Sequence, residues 1–168
     1  MDGLREVLRE REDAIVERWF QDTLAVYPCG AAAAFGRERN QFANPVGHSL
    51  RNGTREIFDA LFDDPDGEAL GHALDGILSI RAVQQLPVGQ AVGFLFRLKD
   101  LLREELDGHA AHQAIIADLH ELDRRIDRAA LRAFETYVAY RELVCELRIN
   151  ELKRTIPWSV GRERVREG

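Results

Sequence analysis

The sequence has only two cysteines and lacks any apolar run that approaches the roughly 20 residues of a membrane-spanning helix. Cys29 and Cys145 are far apart and form no CxxC-type pattern, so we expect free thiols in a reducing compartment; a redox-sensing thiol is the alternative. Residues 1–11 alternate charged residues with leucine and lack the apolar stretch of a secretion signal. These absences together predict a cytoplasmic chain without a membrane segment.

The sequence also lacks an excess of positive charge. Its formal net charge is −6, which argues against nucleic acid as a general partner because duplex binding depends on neutralising phosphates. The end of the chain is an exception, with five basic residues from Lys153 onward against two acidic ones. A chain of this length fits one core, so we expect a single domain at 1–156 and a flexible basic tail at 157–168. The tail is expected to be solvated, and contact with an acidic partner is the alternative.

Motifs that carry chemistry are missing as well. The sequence contains no nucleophile elbow, no glycine-rich phosphate loop and no HExxH pattern. His109, His112, His120 and Asp123 form a weak cluster at the start of the last predicted helix. Metal sites in helical bundles draw their ligands from several facing helices, so a solvated surface is the better interpretation. We therefore predict no enzyme, no metal site and no cofactor.

All five prolines stand at helix boundaries, where a missing backbone N–H is tolerated. Three of them open helical patterns and two follow the ends of such patterns: Pro45, Pro65 and Pro87, then Pro28 and Pro157. Asn44 and Asp64 precede two of the opening prolines and are good N-cap residues, because their side-chain oxygens accept a free N–H. The prolines thus divide the chain into helices.

Apolar residues recur at helical spacing in each segment, and no segment alternates apolar and polar residues as a strand does. The pattern predicts helices around 15–24, from Pro45 to about Phe62, from Pro65 to about Gln85 and from Pro87 to about Leu106, with a short helix among the alanines of 31–44. Gly89 and Gly93 each cost about 1 kcal/mol against alanine in a helix, so we expect another helix to approach closely there. The predicted fold class is all-α.

The last predicted helix is the longest, since residues 110–154 contain no proline or glycine. About 45 residues correspond to roughly 67 Å, longer than a domain of this size is wide. The helix must therefore break, project or be covered by a second chain. Its apolar face predicts a homodimer seam, to which the Pro87 helix also contributes, at Ala129, Ala133, Tyr137, Tyr140 and Val144. Two helices joined by a kink are the alternative.

Two histidines and one arginine are weighed for specific functions. In a haem-binding globin the axial histidine would fall in the segment 80–86, and this segment contains no histidine. His72 is the only candidate ligand on the third predicted helix. Haem binding is therefore not favoured. Because Pro45 opens the helix, His48 falls in its first turn and not in its middle, where a phosphoryl-accepting histidine would be expected. A role at the helix start is therefore favoured over phosphotransfer. Arg81 suits either anion binding or the capping of helix carbonyls, and capping is favoured.

Several strings of the sequence together resemble the N-terminal domain of the RsbR-type (RsbRD) co-antagonist proteins of bacterial stressosomes. The strings occur in order at 42–48, 80–84, 87–99, 125–129, 140–142 and 148–154. The residues that mark the resemblance are Asn44, Pro45, His48, Arg81 and Gln84. The resemblance covers about residues 4–154.

The resemblance implies a globin-like helical fold without haem and a dimeric sensory role in stress signalling. In that family the domain usually precedes a STAS output domain, and none follows here before Gly168. The leading hypothesis is a non-catalytic sensory or regulatory homodimer that senses an unidentified small ligand or binds a signalling protein. A histidine phosphotransfer module that uses His48 and a haem or redox sensor are the alternatives.

Overall fold

The computed structural model describes residues 2–37, 40, 42–106 and 113–155. Over these residues all regular secondary structure is helical, so the prediction of an all-α fold is confirmed. The helices are α1 (Asp2–Leu8), α2 (Glu12–Leu24), α3 (Cys29–Arg37), α4 (Pro45–Asp63), α5 (Glu68–Val83), α6 (Val88–Val92), α7 (Phe94–Leu106) and α8 (Gln113–Thr155). None of these helices combines the length and the apolar composition that a membrane crossing requires.

The proline signals locate one helix start correctly and one incorrectly. Helix α4 begins at Pro45, and the Asn44 side chain accepts a hydrogen bond from the Gly47 N–H at 2.9 Å, as expected of an N-cap. Helix α5 begins at Glu68 instead of Pro65, because Asp64 caps the C-terminus of α4 through its own N–H and the Ala60 carbonyl. The prediction that Asp64 and Pro65 open the third helix is wrong. They form the turn that precedes it.

The predicted Pro87 helix is divided into α6 and α7 at Gly93. The Phe96 N–H bonds to the Gly93 carbonyl at 3.1 Å, an i to i+3 contact that tightens the backbone at this point. The Gly93 N–H still reaches the Gly89 carbonyl at 2.9 Å, so the two short helices follow one another closely. The boundary is a local tightening of one helical segment.

Helix α5 is central to the core, because it packs against α4 on one side and α8 on the other. Gly53 of α4 allows this approach, since a Cβ there would lie 2.8 Å from Ile77 Cγ1. Helix α2 packs against α4 and α7, and its Trp19 stacks on Phe94 with ring centroids 5.7 Å apart. The Trp19 Nε1–H also donates to the Phe94 carbonyl at 2.7 Å. The core is therefore tied together at the start of α7.

Helix α8 runs without interruption for 43 residues, about 64 Å. The structure therefore has one helix here and not two separate ones. Its first half is anchored in the core by Leu122 and Ile126, which are buried. From Cys145 to Thr155 every residue is exposed, so the end of α8 extends beyond the rest of the described chain.

Candidate functional site

An apolar groove lies between the α6–α7 segment and the middle of α8. Its volume is about 570 Å³. The groove is lined mainly by carbon, with one carboxylate among its residues, which are Val88, Gly89, Val92, Gly93, Phe96, Asp127, Ala130, Leu131 and Phe134. A concave apolar surface of this size suits a partner side chain or a small apolar ligand.

Two glycines leave gaps between the side chains of Val88, Val92 and Phe96 on the α6–α7 wall of the groove. A Cβ built on Gly89 would have no atom within 4 Å, so no other helix approaches it. A Cβ on Gly93 would overlap the Gly89 carbonyl oxygen of the same segment. The prediction of a close helix–helix contact at these glycines is therefore wrong. At Gly89 the missing side chain leaves open space.

Large apolar side chains line the groove and are exposed to solvent. The exposed fractions are 69% for Leu131, 48% for Phe134 and 47% for Phe96. Asp127 is neutralised by Lys99, whose Nζ lies 2.6 Å from its carboxylate. A contiguous exposed apolar surface with little free charge is typical of a protein interaction site.

The apolar surface continues from the groove along α8. We define the outer stripe as the apolar residues on this side of the helix: Leu131, Phe134, Val138, Cys145, Ile149 and Leu152. Their spacing keeps them on one side of a helix with about 100° per residue. Leu131 and Phe134 belong to both the groove and the outer stripe. The exposed apolar surface thus extends from the groove to the projecting end of α8.

Three of the five residues predicted to form a subunit seam lie inside the chain's own core. Ala129, Ala133 and Tyr137 are buried, and the Tyr137 hydroxyl donates to the Leu86 carbonyl. Tyr140 and Val144 are half-buried on α8, and Tyr140 packs against the same core. Three of the five positions are therefore covered by the chain's own core, while Tyr140 and Val144 remain partly accessible.

The sequence hypothesis missed Leu131 as a surface residue. A usable signal was present, because Leu131, Val138, Cys145 and Leu152 recur at intervals of seven residues. Periodicity identifies both apolar sides of α8, but it does not say which side meets α5. Tertiary packing decides that choice.

Arg81 is fully buried and donates only to backbone carbonyls among the described contacts. Its Nη1 lies 3.1 Å from the Gln90 oxygen and 2.6 Å from the Ala91 oxygen, and its Nη2 lies 3.1 Å from the Thr23 oxygen. These carbonyls belong to the last turns of α6 and α2, where helix dipoles favour a cation. Arg81 thus caps helix carbonyls, as predicted, but in α2 and α6 instead of α5.

The electrostatic environment of Arg81 follows from its burial. Desolvation lowers the pKa of the guanidinium below its usual value, and the nearby Tyr27 hydroxyl opposes that shift. The guanidinium also lies over the Phe94 ring, 4.5 Å from its centroid. Arg81 therefore fixes α6, which forms one wall of the groove, to α2 and α5.

The other residues of the sequence signature lie away from the groove. Asn44 Nδ2 donates to the Phe35 carbonyl at 2.9 Å, which joins the start of α4 to α3. His48 is half-buried in the first turn of α4, as predicted, and its Nε2 lies 3.0 Å from Asn52 Nδ2. Gln84 is exposed at the C-terminus of α5. The structure does not bring these residues into one site with Arg81.

Gly47 is a further residue with a positional requirement that the sequence hypothesis did not single out. A Cβ on Gly47 would overlap the Asn44 side chain and the Phe35 carbonyl oxygen. Its position two residues after Pro45, inside a helix start, is the signal that was available.

The residues considered for a metal site do not converge where the structure describes them. No group of three or more His, Cys, Asp or Glu residues within the described ranges could hold a metal ion. His109, His112 and the predicted tail at 157–168 lie outside those ranges.

A comparison with known families identifies the family of the chain. A family model described as RsbT co-antagonist protein rsbRD N-terminal domain matches residues 13–152. The matched range runs from the first turn of α2 to near the end of α8 and contains the groove and the outer stripe. No curated protein and no solved structure matches the chain.

Proposed function

The chain belongs to the RsbT co-antagonist protein rsbRD N-terminal domain family, a family of regulatory domains in stress signalling, and from that premise we propose that it works as a non-catalytic homodimer. The groove and the outer stripe form the contact between the two copies. A small ligand or a signalling protein acts by changing that contact. We expect the signalling protein to belong to the system of RsbT, the protein that the family description names.

The observation that carries this proposal is the continuous exposed apolar surface of α8. Leu131, Phe134 and Ile149 each leave about half or more of their side chain in water. Burying such surface contributes about 25 cal/mol per Å², which favours association over a solvated monomer. The same surface lacks the paired acid, base or nucleophile that a catalytic site needs.

The contacts of α6 suggest how a signal reaches this surface. Arg81 holds the end of α6 through two carbonyls, and the Tyr137 hydroxyl holds the Leu86 carbonyl just before α6. A ligand or partner that moves the α5–α6 corner therefore moves the groove wall relative to α8. If the dimer contact has two arrangements that bind the ligand with different affinity, the ligand shifts the population toward the arrangement that binds it more tightly.

We also propose that the helices have a globin-like arrangement and that the protein functions without haem. Arg81 supports it, because this side chain occupies the core in the segment 80–86, where an axial histidine would be expected. Haem in that place would have to displace a buried cation that already donates three hydrogen bonds. Titration of the purified protein with haem should leave the Soret band of free haem unchanged.

The homodimer is tested by Leu131→Glu, with Leu143→Glu as a matched control. Both leucines are exposed on α8, at 69% and 49%, but they lie twelve residues apart and therefore on different sides of the helix. A charge in the contact is costly to desolvate, so Leu131→Glu should give a monomer in light scattering. Leu143→Glu should keep the dimer mass. A monomeric parent protein, or an unchanged dimer in Leu131→Glu, contradicts the proposal.

A further inference from the structure

We propose that residues 156–161 fold back along α8 and pack on its inner side, just beyond the core. The surface that receives them, here called the inner patch, consists of Leu143, Val144 and Leu147. Residues 156–168 follow directly on α8 and lie outside the described ranges. The inner patch lies on the side of α8 opposite the outer stripe, so this contact does not depend on the proposed homodimer.

The inner patch continues the side of α8 that is buried earlier in the helix. Leu147 follows Ala129 by 18 residues, which is five full turns, and Val144 follows Tyr137 by seven residues, about two turns. Ala129 and Tyr137 are 1% and 3% exposed, but Leu143 and Leu147 are 49% and 55% exposed. The apolar side of the helix therefore extends beyond the part that the described core covers.

The cover over this side of α8 ends where α5 ends. The last residue of α5 is Val83, and the Tyr137 hydroxyl donates to the Leu86 carbonyl shortly after it. Val83 is itself 64% exposed. From Cys145 onward every described residue of α8 is exposed, so no other described helix shields Leu147. A segment that packs here removes apolar surface from water, which is favourable.

The segment that follows α8 has the composition of such an occupant. Its first residues alternate between apolar side chains and three intervening positions, Pro157, Ser159 and Gly161. Pro157 cannot continue a helix, and it favours an extended conformation at the residue before it. In an extended segment alternate side chains lie on one side, so Ile156, Trp158 and Val160 form a single apolar edge.

The connection is long enough for Trp158 and Val160 to reach the inner patch. Six extended residues span about 20 Å, and Leu147 lies about 12 Å before Thr155 along the helix axis. The remaining length, about 8 Å, allows the chain to turn at Pro157. Because the segment is tethered, its effective concentration at the patch is in the millimolar range, so even a contact of low intrinsic affinity forms.

Charges favour the same direction for the returning segment. Glu142 and Glu146 lie one turn apart beside Leu143, and neither forms an ion pair within the described ranges. Arg162 and Arg164 follow the apolar part of the segment, so a chain that returns along α8 brings them toward these two carboxylates. Such exposed pairs contribute little stability, but they disfavour a segment that continues away from the core.

The fluorescence of Trp158 tests the contact. The sequence contains two tryptophans, and Trp19 is fully buried in the core. The acrylamide quenching of Trp158 is obtained as the difference between each chain and the same chain with Trp158→Phe. Leu147→Glu places a charge that is costly to desolvate in the inner patch. Leu147→Met is the conservative control, and Leu152→Glu makes the same charge change on the outer stripe, closer to Trp158 in sequence.

Trp158 of the parent chain should be quenched several-fold less than N-acetyltryptophanamide, and Leu147→Glu should remove most of that protection. Leu147→Met and Leu152→Glu should retain it. The protection should be the same at every protein concentration, because the occupant belongs to the same chain. Parent quenching equal to that of N-acetyltryptophanamide, or unchanged protection in Leu147→Glu, overturns the contact. Protection that is lost on dilution also overturns it and assigns the occupant to a second copy.

Discussion

Arg81 brings a positive charge into the core, where its described hydrogen-bond partners are the carbonyls of Thr23, Gln90 and Ala91. Burying a charge is costly unless it is hydrogen-bonded, and here the C-termini of α2 and α6 provide acceptors for both Nη atoms of Arg81, while its buried Nε has no hydrogen-bond partner in the described part of the chain. The capping role could be anticipated from the position of Arg81 near the end of its helix. The identity of the carbonyls could not, because two other helices bring them close.

Replacing Arg81 tests this role. Arg81→Met keeps much of the apolar volume but leaves three carbonyls of the core without their donor. We expect the free energy of unfolding in urea to fall by about 3 kcal/mol or more. Arg128→Met is the control, since its ion pair with Asp66 is exposed and should contribute at most about 1 kcal/mol. Equal, small losses in both variants would show that the Arg81 contacts stabilise little.

The helices themselves follow from local sequence, and their exceptions have identifiable causes. Asn44 and Pro45 open α4 as predicted, because the cap hydrogen bond is local. Asp64 and Pro65 have the same pattern, but Asp64 ends α4, and the sequence signal for a cap does not distinguish a helix start from a preceding helix end. The length of α8 was predictable from the absence of proline and glycine.

The candidate site was less predictable than the helices that form it. The α6–α7 segment and α8 were both expected at a subunit contact, but the residues named for α8 lie on its inner side. Ala133 and Leu131 are equally plausible from periodicity, and only packing against α5 makes the first buried and the second exposed. Gly89 has the same ambiguity, since a helical glycine indicates either a close neighbour or an open surface.

Alanine at Gly89 separates folding from association. No atom lies within 4 Å of the added Cβ, so Gly89→Ala should raise the free energy of unfolding by up to about 1 kcal/mol at concentrations where the chain is monomeric. The same methyl group narrows the groove, so the dimer should dissociate more readily in analytical ultracentrifugation. Gly93→Ala should instead destabilise the monomer, because its Cβ overlaps the Gly89 carbonyl. A Gly89→Ala protein with an unchanged or tighter dimer would place the contact outside the groove.

At the scale of the whole molecule, the chain combines a compact core around α5 with a helix that continues beyond it. An isolated helical end of about eleven residues is marginal in water, because helix formation gains little without tertiary packing. The residues from Cys145 to Thr155 nevertheless carry apolar side chains on the outer stripe. In the proposed homodimer a second copy of the chain covers these side chains, and the projecting helix becomes part of the regulated contact.

Hydrogen exchange of the 145–155 amides at several protein concentrations tests this account most directly. If a second copy covers the outer stripe, these amides should be protected at high concentration and should exchange faster on dilution, as the dimer dissociates. Amides of α5 should stay protected throughout, because α4 and α8 of the same chain cover them. Fast exchange of the 145–155 amides at every concentration would contradict the claim that the outer stripe is a contact between two copies.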